Sequence, residues 1–317
     1  MFIFGGAEGN IYLFYAISCA SVLFFVGLVH PITNVIVRFR ADYTPRRVQL
    51  AVESGEEASV GNMGVQSVFG LIKRIYTIEG IKGFFKGYVP TAAVSLIGFL
   101  FAAFFLGIDS VQPAPRQDSW PEISPLANLI ICFTLTFLGL PLTVITYRAI
   151  TTPYNLPWFN ISKGYLTLLS PTEARKPWLL WFTPGLFAAS FARNILYLFG
   201  LVPLHRLLLP GGPEAERRAE HVSLFILAVL ITTAISTPLE VMETRVAIQR
   251  NHSGPIVAQT IDVPNSGSEE VIGYRSEDDT FKSLLDTGDR ISREEGWYIL
   301  YRAWWFTLIG GLSFLAI

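Results

Sequence analysis

The sequence predicts an all-α membrane protein of six transmembrane helices paired as three helical hairpins. Three observations carry that expectation: a charge-poor composition, six apolar runs long enough to cross a bilayer, and a proline–arginine unit that recurs along the chain. Of 317 residues, 51% are hydrophobic and only 15% are charged, with 24 Lys+Arg against 25 Asp+Glu. A soluble domain carries about a quarter charged residues. With 24 Phe and 7 Trp the chain has more apolar surface than one water-soluble core of this length can hide, so lipid is the expected solvent. A net charge of -1 offers no electrostatic basis for binding nucleic acid. Cys19 and Cys132 both lie inside apolar runs, which disfavours a disulfide framework or a Cys-based metal site.

The apolar runs lie roughly at 11–37, 88–108, 123–147, 178–205, 222–247 and 298–317, each near the length that about 30 Å of hydrocarbon requires. Helices are expected rather than barrel strands, because stretches such as Thr91 to Gly107 are apolar on every face instead of alternating. Only the fourth and fifth runs hold charged residues well inside them, Arg193 in the fourth and Glu240, Glu243 and Arg245 towards the end of the fifth; every other charged residue sits at a run's end or in a loop. The first ten residues contain no Lys or Arg, so targeting is expected to be internal. Three long loops, after the first, third and fifth spans, hold 19 of the 24 Lys+Arg. They are expected on one face, the side that a Lys/Arg excess marks as cytoplasmic or matrix-like.

The repeat sits where each odd span ends. Pro31 is followed seven residues later by Arg38, Pro141 by Arg148, and Pro238 by Arg245, the prolines being 110 and 97 residues apart. Downstream, the stretch Glu79-Gly80 to Phe85-Lys86-Gly87 recurs 216 residues later as Glu295-Gly296 to Tyr301-Arg302-Ala303. A period near 100 residues gives three units, at about 8–112, 113–212 and 213–317, each a span, a basic loop with a short amphipathic helix, and a second span.

On these residues the chain resembles the mitochondrial carrier family over essentially its whole length. The family motif is Pro-x-Asp/Glu-x-x-Lys/Arg-x-Lys/Arg, then after a loop Asp/Glu-Gly, four residues, aromatic-Lys/Arg-Gly. Glu79 to Gly87 match its second half in full and Glu295 to Ala303 all but the last position; in the middle unit it has decayed to Arg175-Lys176-Pro-Trp-Leu-Leu-Trp181-Phe182-Thr183. The resemblance implies a pseudo-threefold bundle around a central cavity, kinked at the three prolines and with its loop helices on the matrix side. It also implies a multi-pass protein of a mitochondrial membrane, the inner one by expectation and the outer as the alternative.

Departures from the family set the functional question. In the family, acidic third positions pair with basic sixth positions and close the cavity towards the matrix; here these are Thr33, Thr143, Glu240 and Ile36, Thr146, Glu243, so no pair of that network is expected. The even spans keep aromatics (Phe104, Phe105, Tyr197, Phe199, Phe314) without the family's second charge network. Arg38, Arg148 and Arg245 read either as anchors that snorkel at the helix ends or as a ring of cations at the mouth. Arg193, followed by Asn194, is costly at its depth unless it faces protein, water or a counter-ion. It falls two to three residues past the family's contact point. Its readings are a solute contact of the kind carriers of carboxylates use, or a structural tie to Glu240 or to helix carbonyls. Glu240 and Glu243 share a helical face, so they read as a proton-sharing pair or as solvated residues at the mouth.

The four histidines have no metal-like spacing and read as helix-end and loop residues. The acidic loop from Arg250 to Arg293 lacks the Gly and terminal Glu of an EF-hand and reads as an insertion before the last loop helix. Neither a phosphate-cradling loop nor a catalytic constellation is present, so no enzyme, cofactor or metal is expected. Two functions remain: transport of a small solute, with an anionic carboxylate as the favoured class, or a carrier-fold scaffold that has lost transport and binds a protein partner.

Overall fold

A computed structural model of the chain describes residues 7–45, 67–106, 125–154, 161–208, 218–250, 271–275 and 279–313. Among these residues the secondary structure is helical, without strands. The first hairpin comprises α1 (Ala7–Ala41), a loop helix α2 (Val68–Glu79) and α3 (Tyr88–Leu106). The second comprises α4 (Pro125–Thr151), the short α5 (Ile161–Leu168) and α6 (Pro171–Arg175), and a fourth span built from α7 (Leu186–Ile195), a π turn (Leu196–Leu201) and α8 (Val202–Leu208). The third comprises α9 (Arg218–Ile248), α10 (Leu284–Glu294) and α11 (Trp304–Leu312). Among the described residues five helical segments are long and apolar enough to cross a membrane, and exposed faces carry large apolar side chains such as Phe24, Phe25, Leu28, Leu138 and Ile231, as a lipid solvent requires.

In each hairpin one loop helix starts at a serine. Ser67 and Ser283 accept hydrogen bonds from the Gly70 and Asp286 amides, and Ser170 forms a reciprocal capping box with Glu173. Each even span starts at a residue with left-handed backbone: Gly87 (φ 79°), Gly185 (φ 82°) and Ala303 (φ 58°). In the middle hairpin that turn therefore falls at Gly185, two residues beyond Thr183, the position the motif register assigns to it. A side chain at Gly87 would put its Cβ 2.6 Å from Ile150 Cγ1, and one at Gly185 2.6 Å from the Leu284 amide nitrogen. Glycine is thus required there by contact as well as by φ.

Span boundaries differ from the sequence expectation in a systematic way. The odd helices run to Ala41, Thr151 and Ile248, beyond 37, 147 and 247, because their terminal arginines are buried in protein rather than leaving the membrane. The fourth and sixth spans begin later than expected, at Leu186 and Trp304, since Pro177–Leu180 and Trp297–Tyr301 are 3₁₀ turns that, with Ile81–Phe85, link loop helix to span. α11 covers nine residues among those described. Consecutive spans pack in chain order, and the three odd helices also pack pairwise on one another.

Candidate functional site

Three arginines close the loop-side ends of the odd helices into a ring. Arg38 Nε donates to the Ile150 carbonyl at 2.9 Å, Arg148 Nε to the Ala247 carbonyl at 3.1 Å, and Arg245 Nη2 to the Asp42 carbonyl at 2.5 Å. Each bond runs from one odd helix to the C-terminal end of the next, where carbonyls lack an intrahelical partner. Each arginine also meets a carboxylate of its own hairpin: Arg38 with Glu79 at 2.7 Å, Arg148 with Glu173 at 2.7 Å and Arg245 with Glu295 at 2.9 Å. All six side chains are buried. The arginines are neither snorkelling anchors nor a free cation ring at the mouth; burial and pairing make them internal ties between hairpins.

The loop motif supplies the carboxylates. Glu79 also receives Lys86 Nζ at 2.5 Å, and the Lys86 carbonyl accepts Asn34 Nδ2 at 2.8 Å and engages His30 Nε2 at 2.9 Å. His30 is accordingly a buried helix residue joining the first two spans. Arg302, the counterpart of Lys86, donates instead to the Asp42 carbonyl at 2.5 Å. Gly80 and Gly296 take positive φ between loop helix and 3₁₀ turn. In the middle hairpin Glu173, two residues before Arg175, performs the task of Glu79 and Glu295, and Arg148 forks across both its oxygens at 2.7 and 2.9 Å. The Ser170…Glu173 capping pattern was the readable signal for it.

Above the ring, two further pairs occupy the bundle interior. Glu240 Oε2 lies 2.6 Å from Arg40 Nη2 and accepts Thr307 Oγ1 at 2.6 Å, while Arg40 donates to the same hydroxyl at 2.9 Å. Glu243 Oε2 lies 2.6 Å from Arg193 Nη1, a close charge contact rather than an aligned hydrogen bond, and its Oε1 accepts Ser190 Oγ at 2.8 Å. These contacts correct two expectations and add a pair from outside the family's third-to-sixth network: Glu240, at a third position, meets Arg40, two residues beyond Arg38. Arg193 pairs with Glu243 rather than Glu240. The two glutamates face separate arginines and are neither a proton-sharing pair nor solvated at a mouth; Glu243 is 2% exposed.

Arg193 and Asn194 do not converge. Arg193 points to the fifth span, whereas Asn194 Nδ2 donates to Thr136 Oγ1 of the third at 2.9 Å, as a 100° step along a helix dictates. Pro31, Pro141 and Pro238 lie inside their helices without ending them, each preceding its arginine by two turns. Phe104, Phe105 and Phe314, His252, and Asp262, Glu269, Glu270, Glu277 and Asp278 of the acidic loop lie outside the residues whose side chains are described.

A family model described as mitochondrial carrier protein matches residues 20–113 and 218–317. The unmatched stretch between them holds the displaced Glu173 and Gly185. No curated protein matches the chain.

Proposed function

Because the chain belongs to the mitochondrial carrier family, we propose that it moves a small carboxylate-bearing solute across a membrane by alternating access, with Arg193 as the anion contact. The observation that carries this reading is the Arg193–Glu243 pair, at 2.6 Å with Glu243 buried and Arg193 still 24% exposed. A guanidinium that holds a carboxylate with part of its fork still accessible suits exchange of that carboxylate for a solute's. Displacing Glu243 would also release the contact between the fourth and fifth spans, linking occupancy to helix movement. The left-handed turn at Gly185 supports the assignment, since it absorbs two of the residues by which Arg193 overshot the family's contact point.

The scaffold alternative drew on electrically empty gates. The Arg40–Glu240–Thr307 and Arg193–Glu243–Ser190 groups weaken that argument, since charge pairs of this kind are costly in a bundle that merely presents a surface. The family match also supports a mitochondrial membrane, the inner one in our reading. The three arginine–glutamate units support three repeats at about 8–112, 113–212 and 213–317. Asn194, bonded to Thr136, takes a positioning role in this proposal.

Reconstitution into liposomes with labelled carboxylates, amino acids and nucleotides tests the reading. Uptake of a carboxylate that falls at least about tenfold in Arg193→Lys, with folding retained, is the expected result. Absence of uptake for every solute, with no solute raising the melting temperature of the wild type, would refute it and favour the scaffold.

A further inference from the structure

A short segment ahead of the last loop helix touches the loop-side end of every odd span. Val271 and Ile272 are buried in the apolar cluster formed by Val35, Ile36 and Phe39 of α1 with Leu71 and Ile75 of α2. The Gly273 amide donates to Asp42 Oδ1 at 2.9 Å and its carbonyl accepts the Tyr43 amide at 3.0 Å, just beyond α1. A side chain at 273 would bring its Cβ within 2.5 Å of the Tyr43 carbonyl oxygen, so this closeness depends on glycine. The Tyr274 hydroxyl donates to the Thr151 carbonyl at the end of α4. Arg275 lies over the Phe281 ring at 4.6 Å and forks onto Glu294 of α10. Phe281 in turn exchanges backbone bonds with the Gln249 amide group just past α9, at 2.7 and 3.3 Å.

We infer that residues 271–275, with Phe281, form a strap that holds the loop-side mouth shut and must detach before the bundle opens on that side. Opening there requires the ends of α1, α4 and α9 to separate. The arginine ring opposes this within the bundle; the strap opposes it from outside, through independent contacts to the same three ends. It is therefore a brake whose strength is set by side chains that lie neither in the ring nor beside Arg193. The inference rests on the carrier reading only in requiring that the bundle opens on the loop side.

The test reads accessibility and not transport. In a Cys19→Ser background, Thr146→Cys places a reporter in the buried loop-side half of α4, and Cys132, buried further from the loop side on the same helix, serves as an internal control. A membrane-impermeant maleimide is applied from the loop side of proteoliposomes. Tyr274→Phe keeps the ring and removes one hydrogen bond, so it should speed labelling at the reporter about fivefold. Ile272→Ala should speed it more than about tenfold. Reporter rates unchanged in both variants, or equal acceleration at Cys132 as general unfolding would give, overturn the strap. Faster reporter labelling with no uptake of any solute by parent or variants would overturn the carrier reading alone.

Discussion

Arg148 holds Glu173 by both carboxylate oxygens, at 2.7 and 2.9 Å, while its Nε reaches the Ala247 carbonyl on the next odd helix. The pair thus joins the middle loop to two spans, with both side chains out of water. Glu173→Ala leaves a buried guanidinium without its counter-ion and should cost about 3–5 kcal/mol. The double variant Glu173→Ala with Arg148→Ala should cost clearly less than the sum of the two single changes, because each single change already breaks the same pair. Thermal unfolding in detergent measures the cycle; additive losses would count against a coupled tie.

Much of this architecture was legible in the chain because it is written in backbone-scale signals. Apolar runs of bilayer length, and a proline–arginine spacing repeated at three places, survive without any knowledge of contacts. Partner choice was less legible. Arg40 and Glu240 are 200 residues apart, and only the packing of α1 against α9 brings them to 2.6 Å. The middle loop misled for a different reason: Glu173 and Gly185 perform the motif's two tasks from shifted positions, so fixed spacing pointed to Arg175 and Thr183 instead. The strap had no periodicity at all, since Val271 and Ile272 are only two apolar residues in a polar loop.

Ala303 and Gly87 make a paired prediction about the left-handed turn. Ala303 adopts φ 58° where Gly87 adopts 79°, and a non-glycine residue there is strained by roughly 1–2 kcal/mol. Its methyl group is buried in the α1–α2 cluster, and a buried carbon of that size is worth roughly 0.8 kcal/mol. Glycine would also enter with a larger unfolded-state entropy. These terms nearly cancel, so Ala303→Gly should change stability by less than about 1 kcal/mol. Gly87→Ala has no such compensation, because its Cβ would meet Ile150 Cγ1 at 2.6 Å. It should destabilise by more than about 2 kcal/mol, combining strain with overpacking. Equal effects in the two melting curves would contradict this account.

Arg40, Glu240 and Thr307 form the second interior group, and its members should rank in a fixed order. Thr307→Val keeps the shape of the side chain and removes one hydroxyl shared by both charges, costing about 1–3 kcal/mol. Arg40→Ala strands Glu240 without a cation and should cost about 3–5 kcal/mol. Arg40→Lys should fall between them, since a point charge is kept while the bond to Thr307 is weakened. Denaturation curves showing Thr307→Val as the most damaging of the three would mean that the hydroxyl, and not the charge pair, organises the group.

Glu243→Gln separates the solute-exchange reading of Arg193 from a purely structural one. In the wild type Glu243 competes with any incoming carboxylate for the guanidinium, from 2.6 Å and with Ser190 holding its other oxygen. The amide keeps the size and the Ser190 contact but removes the competing charge. Both readings expect the variant to be less stable without solute, by about 3–5 kcal/mol, because an interior cation has lost its counter-ion. They differ once carboxylates are added. If Arg193 is the solute contact, anions bind the vacated guanidinium more tightly, and the rise in melting temperature at a given carboxylate concentration exceeds that of the wild type by mass action. Net uptake should meanwhile slow, since a solute that is held too firmly no longer has Glu243 to displace it. If Arg193 is only a tie, the variant melts lower at every concentration and no carboxylate restores it. The decisive measurement is the rise in melting temperature over the solute-free protein at each carboxylate concentration, taken for the two proteins in one detergent at one pH. A rise no larger in Glu243→Gln than in the wild type at every concentration would remove Arg193 from the solute path while leaving the carrier fold intact.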